Sequence, residues 1–506
     1  MPQNTPQNTH NGGTQTPQAE NYLNTLLTRL ELLSKEVESI SAQQEISAIL
    51  EMIESAGALK KAEIEALAKK FALPYTKKSW RLLKEVKLYR MVMVQEVYKN
   101  KEGEIVKYGD ILTRGANTAN NAGTPRGALA RFSRVHLPED VEFIEVFGGI
   151  HTFFALPKEG KSLYAWGANY YGSAGAGHTE QLPLPVKIDF GARVKSVKTG
   201  WVNSNSMTTL VLCENGKVYS SGYNGYGGIG LGDTTDRNTF SEIKALKDIE
   251  KIEVASNGSR SSCFAIDKEG VLFAWGENSW GQLGIGNTTH QNKPQKITLN
   301  QKVTGVFGAI RNDGATSFII LEDGSLLGAG YNGHKNLSDT STQNRPAWTP
   351  CKSAGKELKN IAKIYPASAY GTVFALDFDK NLYAWGYGTQ GFGDKSPNAT
   401  PTEAKIVLEG VLDFSCYTDN LVRAYALKKD GLYAFGRNSG GMLGIGNTID
   451  TGTFTPLRTK PDDFVCYAYA EEGNLLTLRD DCLYACGNAE NGTLDFASAT
   501  LQRVAG

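Results

Sequence analysis

The chain has 506 residues, with 53 Lys plus Arg against 53 Asp plus Glu, so its formal net charge at pH 7 is zero. A balanced charge supplies no global field for a polyanion, and nucleic acid is excluded as an expected partner. No apolar run reaches the ~18 residues of a membrane-spanning helix, and the seven cysteines, odd in number, fit reduced core thiols better than a disulfide framework.

Residues 1–19, rich in Asn, Thr, Gln and Pro, hold little apolar surface to bury and predict a disordered N-terminus. They lack the basic start and apolar core of an export signal, so the expected location is cytoplasmic, or the virion for a phage tail component. Residues 20–73 read as helical. Leu23, Leu26, Leu30, Leu33, Val37 and Ile40 step alternately by three and four, which makes three heptads with apolar a and d positions. The register slips at Gln43 and Gln44, and Ile46, Ile49, Leu50 and Ile53 resume it on a shifted stripe. Two readings stand: a helix packed on its own domain, or a short coiled coil for oligomerisation or attachment. Burying six branched side chains contributes roughly 9–18 kcal/mol gross. Ordering about 20 residues costs as much or more, so the heptads alone associate weakly, and a homo-oligomer built on them favours a trimer over a dimer.

A second helical stretch, residues 60–73, closes at Pro74. Residues 74–131 read as a small β-hairpin region and linker: YRMVMVQEVY (89–98) and EIVKYGDIL (104–112) form a hairpin across KNKEG, and 114–127 lead onward. The run Lys77, Lys78, Arg81, Lys84 and Lys87 is read as a solvated helix face, not an anion site.

Residues 132–506 repeat one phrase seven times: LYAWG ending at Gly167, VYSSG at Gly222, LFAWG at Gly276, LLGAG at Gly330, LYAWG at Gly386, LYAFG at Gly436 and LYACG at Gly487. The steps between these anchors run from 50 to 56 residues, a period that marks a repeat architecture. Before each anchor an apolar strand ends in a polar turn such as KEG, ENG or EDG, the signature of a hairpin. After it come clusters of Asn and Gly, then a short strand (PVKI, QKI, AKI) and a further apolar strand. Four short strands per repeat predict a mainly β fold, a seven-bladed β-propeller of four-stranded blades preceded by the N-terminal α-helical segment and the small hairpin region.

The pattern is best preserved at Trp275, Gly276, Asn278, Gly281, Gln282, Leu283, Gly284, Gly286 and Thr288, and nearly as well in RNSGGMLGIGNT (437–448) and YNGYGGIGLGDT (223–234). It resembles the repeat of the regulator of chromosome condensation family over about 132–506. The resemblance implies the propeller fold but several functions, including nucleotide exchange, ubiquitin-ligase modules, light reception and enzyme inhibition. The fourth copy has lost the Q-L-G-x-G core after Gly330, and the fifth is shortened after Gly386. Residues 132–135 and 501–504 both look like the outer strand of a blade, and seven blades leave room for one; the C-terminal segment is expected to fill that place.

Chemistry is sparse. No G-x-S-x-G, H-E-x-x-H or C-x-x-C occurs, and PKEGKS (157–162) lacks the first P-loop glycine and leads into a strand. Asp233 and Asp236 read as turn caps, not a calcium loop, and the six histidines are scattered. No catalytic residue, cofactor or metal is expected, and the protein is read as a non-enzyme. What varies between copies is one loop residue, four after the anchor at Tyr171, Tyr226, Trp280, His334, Gln390 and Gly440 and three after it at Glu490. With Tyr170, Tyr223, Tyr331 and Tyr387 nearby, these form a candidate binding face for a protein or surface glycan, or else they tuck between blades. The resulting reading is a recognition protein whose N-terminal part oligomerises or attaches it, organised like a phage tail-fibre or receptor-binding protein. The alternatives are a nucleotide-exchange regulator of a small GTPase and a bacterial enzyme-inhibitor propeller.

Overall fold

In the computed structural model the chain divides into two units, Met1–Lys78 and Ser79–Gly506. The described residues are five short strands between 80 and 115 and most of 129–505, apart from short gaps of which 387–401 and 488–497 are the longest. The heptads at Leu23 to Ile40 therefore lie outside the described residues, as do Tyr387, Gln390 and Glu490.

Each of the seven repeats becomes one four-stranded antiparallel sheet with its strands in chain order. The first repeat sheet runs Phe143–Gly148, Thr152–Pro157, Ser162–Gly167 and Leu182–Asp189. The second begins with Val194–Thr199, the third with Ile249–Asn257, the fourth with Val303–Arg311, the fifth with Ile361–Tyr365, the sixth with Asp413–Thr418 and the seventh with Asp463–Tyr469. Two 3-10 turns, Tyr170–Gly172 and Ser439–Gly441, are the helical elements among the described residues. No helix there is long and apolar enough to cross a membrane.

The middle strands explain why the phrase recurs. Thr208–Cys213 and its partner Val218–Gly222 are buried on both faces apart from half-buried Tyr219, whereas the outer strand Arg237–Glu242 is half or fully exposed. A strand buried on both sides requires an apolar run, and an outer strand does not. Each seam between neighbouring sheets holds a hydrophobic cluster. Leu210, Leu212 and Val218 of the second sheet pack on Ile249, Ile252, Cys263 and Trp275 of the third, and Phe374 and Leu382 of the fifth pack on Phe414 and Val422 of the sixth. Burying each such side chain stabilises by roughly 1.5–3 kcal/mol. First strands of neighbouring sheets run side by side, Val194–Thr199 beside Ile249–Asn257 and that beside Val303–Arg311. Meander sheets stacked face to face in this way are propeller blades.

The anchor glycine sets the register. At Gly222 φ is 105°, and a Cβ there would collide with the carbonyl of Met207, so only glycine fits. The outer strand skips at this point, pairing at Ser220–Ser241 and then Gly222–Arg237.

One expectation is corrected. Residues 132–135 and 501–504 do not compete for one place. Leu129–Arg134 is the fourth strand of a separate sheet formed with Trp80–Leu82, Arg90–Val94 and Ile111–Gly115, while Ser498–Ala505 completes the seventh repeat sheet. Among the described residues the four-stranded sheets therefore number eight, and the expected hairpin of 89–98 with 104–112 appears as Arg90–Val94 paired with Ile111–Gly115 in the middle of one of them.

Candidate recognition surface

The loops after five of the seven anchors are each held by one buried asparagine two residues on. Asn278 Oδ1 accepts the backbone N–H of Leu283 at 2.9 Å, and its Nδ2 donates to the carbonyls of Asn287 at 2.9 Å and Thr289 at 3.1 Å. Asn169, Asn224, Asn332 and Asn438 accept in the same way from Ala174, Ile229, Leu337 and Leu443, and donate to His178, Asp233, Ser341 and Asn447. An amide offers an acceptor oxygen and, on a separate nitrogen, two donors, a combination that neither a carboxylate nor a single hydroxyl supplies. Fourteen residues beyond the anchor, Asp236, His290, Asn344 and Asp450 accept the asparagine's own backbone N–H at 2.7–3.1 Å. Asp233 and Asp236 are thus turn caps, as the sequence suggests. The N–H of Thr235, with Arg237 and Asn224, holds the Asp233 carboxyl below its ordinary value, against a smaller opposing effect of burial.

A second set of bonds ties each loop to the following repeat. Trp275 Nε1 donates to Gly228 O at 2.9 Å, and Trp385 Nε1 to Asn336 O at 2.7 Å. Ser221 and Cys486 occupy the same place before their anchors, and they donate to Ser173 O at 3.1 Å and Met442 O at 3.6 Å. In all four cases the acceptor lies six residues after the previous anchor. The glycines serve the same seam: the N–H groups of Gly177, Gly232 and Gly286 donate to Asn238, Asn292 and Pro346 on the next outer strand, each at 2.8 Å.

Anchor, asparagine and glycines are therefore consumed in building the array, which leaves the described positions three and four after the anchor, and position one at Tyr223 and Tyr331, at least partly open to solvent. Tyr171 meets Tyr223 of the next repeat edge-on at 5.1 Å, and Trp280 meets Tyr331 in the same way at 5.1 Å. His334 lies 5.9 Å from Tyr331, and the Tyr170 hydroxyl accepts from Gln181 at 2.8 Å. In the third repeat the residue after the anchor is Glu277, which is fully buried, and Tyr226 pairs with His290 at 5.1 Å instead. Arg260 stands 5.9 Å from the Tyr226 ring. Tyr171 is 41% exposed; Tyr170, Tyr223, Tyr226, Trp280, Tyr331 and His334 are half-buried. Burial is the main cause of a raised Tyr223 pKa. These aromatic residues both clasp the seams and present ring edges to solvent.

Sequence reasoning passed over Glu277, whose carboxylate accepts from the side chain of Gln282 and from the Ser279 N–H at 2.9 Å. It also passed over the asparagines, although their recurrence two residues after five anchors was visible. No disulfide joins the described cysteines; burial pushes the Cys213 thiol up to about 11, against a smaller effect of Lys217.

Residues 269–309 match the family model of the regulator of chromosome condensation repeat. The chain carries this repeat. It is 28% identical over 316 residues to the ultraviolet-B receptor of Arabidopsis thaliana, a match covering 60% of this chain and 67% of the receptor. It is 37% identical over 144 residues to the human X-linked retinitis pigmentosa GTPase regulator, covering 28% of this chain and only 14% of that protein. The crystal structure of human WBSCR16 superposes with a TM-score of 0.53 at 18% identity, over 71% of this chain and 96% of that one, which supports the fold alone. The chain is thus a mainly β repeat protein similar to receptors and regulators.

Proposed function

We propose that the repeat region is a non-enzymatic recognition module that binds a protein partner through the aromatic edge of its loop face. The observation that carries this is the set of aromatic pairs at successive seams, Tyr171 with Tyr223, Tyr226 with His290 and Trp280 with Tyr331, each left partly open to solvent. Tyr and Trp bring large contact area at low entropic cost and dominate binding energy at interfaces. Loops clasped by buried asparagines hold them in place before a partner arrives, which lowers the cost of binding. Similarity to a receptor and to a GTPase regulator supports the same class of activity.

The test is quantitative affinity enrichment from the source cell with the full chain and with Tyr171→Ala/Tyr331→Ala. Partners bound by the loop face should fall at least tenfold with the double variant, and the purified pair should lose about 2–4 kcal/mol of binding. Enrichment unchanged by the double variant, in a protein whose melting is also unchanged, rejects the loop face. A nucleotide-release assay on any small GTPase recovered separates recognition from exchange.

A further inference from the structure

The sheet of residues 80–134 is more than an appendage. We infer that it is a diverged eighth copy of the repeat, and that the propeller closes as a ring of eight by packing this sheet against the seventh repeat sheet.

Three independent observations carry it. The first is register. Gly115 pairs with Leu129, with the pairing skipping between Thr113 and Gly115. Gly222 with Arg237, Gly276 with Gln291 and Gly436 with Thr451 show the same skip at the same place. The second is sequence. Gly115 stands 52 residues before Gly167, inside the 50–56 range of the other steps, and GANTANNAG (115–123) matches GANYYGSAG (167–175) at both end glycines, at Asn117 and at two alanines. Strand order within the sheet is that of every repeat.

The third is packing on both sides. Ile111 and Val135 are buried in one cluster with Phe143, Val146, Phe153 and Trp166 of the first repeat sheet, as the seams between repeats are built. On the other side the first strand, Trp80–Leu82, lies against Asp463–Tyr469, the first strand of the seventh repeat sheet, just as Asp413–Thr418 does. Because each of these two sheets supplies its own fourth strand, the joint is one sheet packed against another, with no strand exchanged between chain ends.

Cryo-electron microscopy of the full chain, viewed down the ring axis, should show eight radial densities. Seven densities in a closed ring with a separate lobe would overturn the inference. Hydrogen exchange on Ile111→Ala provides a second measurement. Exchange should rise at least tenfold in Phe143–Gly148 and also in Asp463–Tyr469. A rise confined to residues 80–135 would mean an independent sheet and overturn it as well.

Discussion

The asparagine clasp makes a claim that one substitution tests. Asn278 is fully buried, and its side chain makes three hydrogen bonds to the loop backbone. Each bond contributes about 0.5–1.5 kcal/mol net, and Asn278→Ala also leaves the buried Leu283 N–H unpaired, at about 1–3 kcal/mol. The expected loss is about 2.5–7.5 kcal/mol, confined largely to the third repeat and its two seams because repeat arrays respond locally. Asn278→Asp should be worse than alanine. It keeps the acceptor for Leu283 but turns a charged oxygen toward the carbonyls of Asn287 and Thr289. Hydrogen exchange of residues 277–291, with urea unfolding of the whole chain, reads both variants. If alanine costs under about 1 kcal/mol, the bonds are cosmetic. An aspartate milder than alanine would show that donation to the two carbonyls is not what holds the loop.

Further outcomes follow from the same geometry. Trp275→Phe and Trp385→Phe each remove one inter-repeat bond and also leave a cavity where the fully buried indole was larger, and should each lower stability by at least about 1–2 kcal/mol in chemical denaturation. Gly281→Ala and Gly286→Ala share a positive φ, 81° and 83°, but a Cβ at Gly281 would sit 2.5 Å from Pro346 Cα while nothing lies within 4 Å of one at Gly286. Gly286→Ala should therefore cost about 1–2 kcal/mol of backbone strain and Gly281→Ala clearly more, compared by thermal melting. Because the folded Asp233 carboxyl lies below its ordinary 3.8, it stabilises the fold above that pH, and the contribution is lost as pH falls through the folded value. Asp233→Asn should lower the melting temperature at pH 7 and flatten its fall as pH drops below the ordinary aspartate value of 3.8.

The array was legible in the sequence because its demands are local and severe. Gly222 and its equivalents must be glycine, and the strands Thr208–Cys213 and Arg260–Asp267, nearly fully buried, must be apolar or small. The N-terminal sheet was harder to see. Its anchor phrase reads ILTRG, without the Tyr or Trp that six of the seven other copies carry, and the first strand of its meander has only three residues. A hairpin was visible there because Arg90–Val94 is mostly apolar and is followed by a second run that ends in Ile111 and Leu112, but the first strand, Trp80–Leu82, is too short to show a period. On the candidate surface, sequence symmetry located the aromatic positions. It could not reveal that Tyr171 and Trp280 reach across to Tyr223 and Tyr331, because an inter-repeat pair has no fixed spacing signature within one copy.

Comparing the copies separates what the array demands from what it leaves free. Before the anchor, Trp275, Trp385, Ser221 and Cys486 each donate to the equivalent carbonyl of the preceding loop despite their different sizes, while Ala329 and Phe435 have no side-chain donor to offer there. Change at that position is absorbed by the seam. After the anchor the array tolerates exchange of the ring itself, provided the neighbours rearrange. Where Tyr223 and Tyr331 stand in other copies, the third has Glu277, turned inward onto Gln282 and Ser279, and the orphaned Tyr226 takes His290 as its partner. A buried carboxylate is costly unless it is hydrogen-bonded, so this rewiring required Gln282 and Ser279 to be in place. The result is one seam of the loop face whose ring pair contains a histidine beside a guanidinium, between two seams whose pairs are Tyr with Tyr and Trp with Tyr. A partner that reads the loop face meets three chemically distinct edges on one scaffold, which is how a repetitive array can recognise something that is not itself repetitive.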